Sequence, residues 1–431
     1  MPNGLLAVPS SKVRATYSDR DIRLDDFVGY SFHDVTNKPL FTQSFVDNRA
    51  NPAQLIHEVN QRDLGDCWIL GTLIGILLRP NGPEWIMNML RDNGDGTVTV
   101  RLFSREANPQ PHYIRVQKRV PEIRVRRLGN FFRVEKLGVL HSGPGVWAAM
   151  IEKAMATLDK NNSYRPVNHG ANYKQLEGGE EDVALKIIIG YQDHELDRIR
   201  MPDRKPMMFE DYRDELQVNI DGDAPWVPAA QQRWKELTRD KNYNEKLLRR
   251  EHAIEFFDDL KQNYNASDEE IAQTSLARNL NVLPGKRFSS NYSARQIAIH
   301  ERLLQYLPQN RILVTGTNVT VGRGNGGVGR GGEAKSKGLA GRHVYALKDA
   351  YIEGGIRYVE VINPWGIHEA GAARQYNAEN KPVAKEAGHA DSSTSKVELY
   401  DFDKRFSGVS AGVAITENRI DSQRARDAAP A

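Results

Sequence analysis

Gln61-Arg62-Asp63-Leu64-Gly65-Asp66-Cys67-Trp68-Ile69-Leu70 is the stretch that decides how this chain reads. Asp66 is a residue type that caps helices, and the run after it stays apolar on almost every face until Pro80. A helix apolar all round belongs in the middle of a folded unit. The run from Trp68 to Leu78 is too short to span a bilayer and is broken by Gly71 and Gly75. Cys67 falls at or next to the first helical position, where unpaired N–H groups and partial positive charge stabilise a thiolate. Two readings are open here. Cys67 is an activated nucleophile, or it is a small buried hydrophobe, as most free cysteines are.

Outward from this helix, the turn Asn93-Gly94-Asp95-Gly96 leads into an alternating strand, Thr97 to Phe103. Further strands are expected near Tyr113–Val116 and Phe131–Val134, and an amphipathic helix over Trp147–Leu158. Residues 1–45 read as an irregular lead-in, and 46–194 as the Cys-bearing unit. Residues 195–305 are charge-dense and helical in period, with Asn265 to Glu270 capping a helix, and read as an insertion. Residues 306–416 turn to short strands: Arg311–Thr317, His343–Leu347, Ile356–Ile362 and an apolar segment near Phe406–Ile415. The polar tail, 417–431, is expected to be mobile. A helical first half and a strand-rich last third predict an α+β fold of two lobes with a cleft between them.

The 431 residues carry 59 basic and 56 acidic side chains, a net charge of +3. That balance disfavours a dedicated nucleic-acid or membrane-surface binder. With hydrophobic residues at 39% and charged residues at 27%, a soluble globular protein is the default class. One cysteine excludes an intramolecular disulfide. The first ten residues lack the basic and apolar pattern of a secretory signal. A reducing cytosol is therefore expected, that of the producing cell or of a cell the protein enters.

A catalytic thiolate needs a histidine within hydrogen-bond reach and a third group that fixes the ring tautomer. The strand-rich part offers Gly341-Arg342-His343-Val344-Tyr345 and Val361-Ile362-Asn363-Pro364-Trp365-Gly366. Gly354-Gly355 supplies a tight turn between them. A register setting His343 opposite Asn363 centres the hairpin on Glu353, beside that turn, with the two Cβ atoms roughly 5 Å apart. Taken singly, His343 also reads as a satisfied sheet residue and Asn363 as a strand-terminal turn residue.

Gln61-x-x-Leu64-Gly65-Asp66-Cys67-Trp68 resembles the active-site signature of the calpain family, and the two later segments resemble its Gly-His-Ala-Tyr and Asn-Pro-Trp-Gly motifs. Trp147 to Ala154, Ser163-Tyr164 and Gly178-Gly179 resemble the segment that finishes that family's Cys-bearing lobe. The resemblance covers about residues 38–190 and 306–415. It implies a papain-like two-lobed α+β cysteine endopeptidase acting on protein substrates: Cys67 as nucleophile, His343 as base, Asn363 as orienter. It further implies an oxyanion hole from the Gln61 side chain and the Cys67 N–H, and a Trp365 ring shielding the His–Asn bond. Arg342 departs from the pattern, which has Gly before the His, and is expected either to clash with or to contact substrate near the base. The interval from Cys67 to His343 is well beyond the papain spacing of about 130–150, and the papain Cys signature is absent. The rival readings are a transglutaminase-like deamidase with the same triad and a catalytically silent interaction module.

Gly322-x-Gly324-x-x-Gly327 matches a dinucleotide fingerprint only formally, since no helix follows, and reads as a loop at the lip of the site. No His-Glu-x-x-His motif, Cys/His cluster or EF-hand loop occurs, and no cofactor is expected. Members of the resembled family bind structural calcium in each lobe. Here the acidic position counted from Gly178-Gly179 falls on Val183, with Glu181 and Asp182 nearby. Glu369 matches an acidic position in the other lobe, but Ala-rich sequence through Ala373 replaces what should follow. Calcium needs six to eight oxygen ligands, so activity is expected not to require it.

Overall fold

The computed structural model describes residues 12–13, 15–24, 30–61, 64–123, 145–201, 224–239, 250–274, 277, 292–317, 342–365 and 394–429. The strand expected at Phe131–Val134, the glycine-rich loop and Glu369 lie outside them.

The first strands of the described residues are three short ones, β1 (Ala15–Tyr17), β2 (Ile22–Arg23) and β3 (Tyr30–Asp34). The described residues of the lead-in are therefore not irregular throughout. β1 pairs in parallel with β6 (Pro111–Gln117), and β3 antiparallel with β7 (Arg119–Ile123). Its isolated aromatics explain why. Tyr17 is buried, and Tyr30 and Phe32 pack against the main core, which holds the segment in place while the ladders satisfy its backbone.

Two short helices follow, α1 (Gln43–Asp47) and α2 (Pro52–Leu55), and then α3 (Cys67–Leu77), every residue of which is buried. Each fully buried Leu or Ile there contributes about 1.5–3 kcal/mol of apolar transfer. Around α3 lie α4 (Gly82–Met89), α5 (Trp147–Met155) and α6 (Glu181–Ile189). They share a core with the sheet β1-β6-β5-β4, in which β4 is Leu90–Asp92 and β5 is Thr97–Phe103. Two-residue ladders join β2 to β10 (Ala171–Asn172) and β8 (Leu158–Asp159) to β9 (Arg165–Pro166).

The second sheet has six strands in the order β11-β16-β12-β13-β14-β15, all antiparallel. These are Asp197–Arg200, Phe406–Ala411, Leu313–Thr317, Val344–Glu353, Ile356–Ile362 and Thr394–Glu398, respectively. Alternation divides its faces. Val314, Val344, Ala346 and Ile362 join the α3 core, while Leu313, Tyr345, Leu347 and Val361 join a second core. The fold is thus a mixed α+β arrangement of helices and mainly antiparallel sheets.

Between β11 and β12 in sequence lie α7 (Val227–Arg239), α8 (Arg250–Tyr264), α9 (Asp268–Gln273) and α10 (Ala294–Tyr306). Ser267 and Glu270 form the expected capping box on α9. Trp226, Phe257, Leu260 and Ile271 are buried yet belong to neither main core. The insertion is narrower than its composition implies. β11 is a strand of the six-stranded sheet, and Ile299, Leu303 and Tyr306 of α10 belong to the second core. Charge on the exposed faces of these elements hid their buried faces.

The tail is not loose either. Residues 399–405 form α11 (Leu399–Arg405), and after β16 the chain ends in α12 (Glu417–Ala428), with Thr416 as its cap. Asp427, buried, pairs with the wholly buried Arg101 of β5 and accepts from the Tyr113 hydroxyl at 2.7 Å. Ile420 adds an apolar anchor in the main core. Among the described residues, no helix is long and apolar enough to cross a membrane.

Candidate active site

Cys67 opens α3, and its side chain is buried. Asp66 stands at the N-cap position as expected, but its carboxylate makes no cap hydrogen bond. Its backbone has φ −104° and ψ 24° rather than the extended geometry of side-chain capping, and the residue is fully buried. The Asp66 carbonyl still receives the Ile69 and Leu70 N–H groups at 2.9 and 3.2 Å, so the first turn is closed around the cysteine.

α3 lies against β13. A Cβ on Gly71, one turn beyond Cys67, would stand 3.1 Å from the Val344 carbonyl oxygen. Glycine at this position lets the helix approach the strand at the residue next to His343. From the other side Gly179 presses on the Trp68 ring, where a Cβ would come within 2.4 Å. The Trp68 indole N–H donates to the Leu176 carbonyl (2.8 Å), and the Gly178 N–H to the Gly65 carbonyl (2.9 Å). The Gly178-Gly179 loop thus braces the turn that carries the cysteine.

His343 and Asn363 come together as expected, though not by the expected register. His343 Nε2 and Asn363 Oδ1 are 2.9 Å apart, and both residues are buried. β13 and β14 close on Gly354-Gly355, with Glu353 paired to Ile356. From that turn an unbroken ladder would put His343 opposite residue 366 and send Asn363 to the other face. A bulge at Lys348 intervenes: Asp349 pairs with Glu360, but Leu347 pairs with Val361 and Ala346 with Ile362. One extra residue reverses the alternation. Leu347 and Ala350 accordingly share a face, both in the second core. Carried beyond Ala346, the shifted register sets His343 opposite Trp365, so Asn363 is a same-face diagonal neighbour.

The Asn363 amide oxygen also accepts from the Trp365 backbone N–H at 3.0 Å, which fixes which end of the amide faces the ring. An amide oxygen only accepts, so Nε2 carries the proton and Nδ1 is the basic nitrogen. The Trp365 ring lies 4.5 Å from the imidazole, centroid to centroid, and Tyr345 meets it edge-on at 4.9 Å. Gln61 is buried on the adjoining loop. Its backbone N–H donates to the Pro364 carbonyl (2.7 Å), and its side-chain amide donates to the Leu64 carbonyl (2.5 Å). The loop before Cys67 and the segment after Asn363 are therefore joined directly. Arg342, exposed, has φ 52°, a left-handed conformation that costs a non-glycine residue roughly 1–2 kcal/mol.

Of the acidic residues near the counted calcium position, Asp182 pairs with Arg198, and Ser410 bonds Glu181 at 3.4 Å. Burial pushes the Glu181 carboxyl above its ordinary range, and Val183 is a core residue. Lys348 carried no signal as a single residue. The need for a bulge was nonetheless implicit in two features read separately, since a two-residue turn at Gly354-Gly355 and a shared face for His343 and Asn363 conflict in parity.

No protein-family model matches this chain, and no curated protein matches it.

Proposed function

We propose that this chain is a calpain-like cysteine endopeptidase with a papain-like two-lobed catalytic core. The 2.9 Å His343–Asn363 pair supports the reading most, placed beneath Trp365 at the end of the strand on which the Cys67 helix packs. Asn363 holds the ring so that Nδ1 takes the Cys67 proton, and the thiolate attacks the substrate's peptide carbonyl carbon. The oxyanion is held by the Cys67 N–H and the Gln61 amide. As the tetrahedral species collapses, the C–N bond breaks and the leaving amine takes the proton from His343. Water, deprotonated by His343, then hydrolyses the thioester and returns the thiol. Protein substrates in a reducing cytosol suit an enzyme with a single free thiol, and no step calls for a metal.

The test is incubation of the reduced protein with a denatured protein, followed by mass spectrometry. Fragments with new N-termini are expected. Conversion of glutamine to glutamate without chain cleavage would replace the reading with deamidation. An unmodified substrate would leave a binding module.

A further inference from the structure

Arg79 lies just past the C-terminal end of α3 and takes no part in the chemistry above. It is 7% exposed, and its Nη2 donates to two consecutive carbonyls of β13, Leu347 at 2.8 Å and Lys348 at 3.3 Å. These carbonyls belong to the bulge. A bulge leaves its extra residue without an opposite residue and takes its backbone out of the regular ladder. Buried carbonyls need donors, and a planar, permanently charged guanidinium supplies them in a fixed direction.

The side chain starts from a fixed point. The Arg79 N–H donates to the Ile76 carbonyl (3.1 Å), and its carbonyl accepts from the Gly82 N–H (3.0 Å). A Cβ on Gly82 would stand 1.9 Å from the Ile76 carbonyl oxygen, so only glycine lets the chain turn this tightly. α3 therefore meets β13 at two places, Gly71 against Val344 and Arg79 against the bulge. The two intervals agree: Gly71 to Arg79 is a rise of about 12 Å at helical spacing, and Val344 to Lys348 about 13 Å along a strand. Sliding β13 by one residue along α3 breaks that match. The Lys348 ammonium also pairs with Glu360 across the hairpin at 2.9 Å, but an ion pair open to water contributes little.

We propose that Arg79 is the positioning residue that holds the Lys348 bulge, and through it the register that sets Asn363 beside His343. This inference rests on reading His343 as the base. Without the guanidinium, the bulge competes with the unbroken ladder from the Gly354-Gly355 turn, in which Asn363 falls on the other face. Deleting Lys348 removes the competition. The ladder is then regular, and His343 still lies opposite Trp365.

The ring N–H signal of His343, assigned by its absence from His343→Ala, is followed by proton NMR. Four proteins are compared: the parent, Arg79→Met, a deletion of Lys348, and the two changes combined. Folding is checked by circular dichroism. Arg79→Met is expected to fold and lose the signal, with kcat on a small peptide lowered about tenfold to hundredfold and KM within about twofold. The deletion is expected to keep the signal, and the combined variant to regain it. A parental signal in folded Arg79→Met overturns the inference. So does a deletion or combined variant that lacks the signal. If Arg79→Met does not fold, the combined variant decides, because a role of Arg79 in general packing would not be relieved by removing Lys348. The NMR readout needs no substrate. A protein that cleaves nothing but shows this pattern refutes the peptidase reading alone, whereas normal cleavage with the signal kept in Arg79→Met refutes the inference alone.

Discussion

At Asn363 one amide oxygen accepts from both the His343 ring and the Trp365 N–H, so tautomer and ring position are set by one side chain. If Cys67 is the nucleophile, as proposed, removing it costs more than removing Asn363, which only orients the ring. Cys67→Ala and His343→Ala are expected to lower kcat/KM on the order of 10⁴-fold or more with the fold retained, and Asn363→Ala by about 10²-fold. Steady-state cleavage rates with circular dichroism check this, and near-parental turnover in Cys67→Ala would rule out thiol chemistry. At this scale the meeting of His343 and Asn363 was legible, because each stands in a short motif flanking the Gly354-Gly355 turn. Glu152 was not. Within Trp147 to Leu158 it reads as a polar residue of an amphipathic helix, and only the fold shows it as buried.

Elements hold the groups in place through two close approaches and one extra residue. Gly71 has 3.1 Å to the Val344 carbonyl, so a β-branched side chain there must push α3 off β13. Gly71→Val is expected to destabilise the protein by about 1–3 kcal/mol in denaturant titrations and to lower cleavage at least tenfold in the folded fraction. A variant of parental stability and activity would mean that the helix–strand approach does not position the site. The positions of α3, β5, β14 and the hairpin turn were all readable from periodicity and from Gly354-Gly355. The Lys348 bulge was not, because alternation within either strand is blind to the register between them. It was recoverable only by asking whether turn and site agree in parity.

For the molecule as a whole, composition misled most at the boundaries. The lead-in supplies strands, the insertion gives up β11 and α10 to the second core, and the polar tail is a helix locked by Asp427 on Arg101. These segments carry a few buried residues among many exposed ones, and averaging over a window erases that pattern. Asp427→Ala leaves Arg101 buried without its carboxylate and is expected to cost about 3–5 kcal/mol in a denaturant titration. A loss within experimental error would show that α12 is not part of the cooperative unit. Replacing residues 202–293 with a Gly/Ser linker keeps β11 and α10. This variant is expected to cleave a small peptide at close to the parental rate while changing which whole proteins are cut. Failure of the shortened protein to fold would place the helical segment in the core instead.

The most direct test of the central claim uses the single cysteine. Cys67 is alkylated stepwise with iodoacetamide, the modified fraction is read by intact mass, and cleavage of a denatured protein is measured on each sample. The expected result is a linear fall in cleavage rate that reaches zero when Cys67 is fully modified. Fully alkylated protein that still cleaves would contradict it.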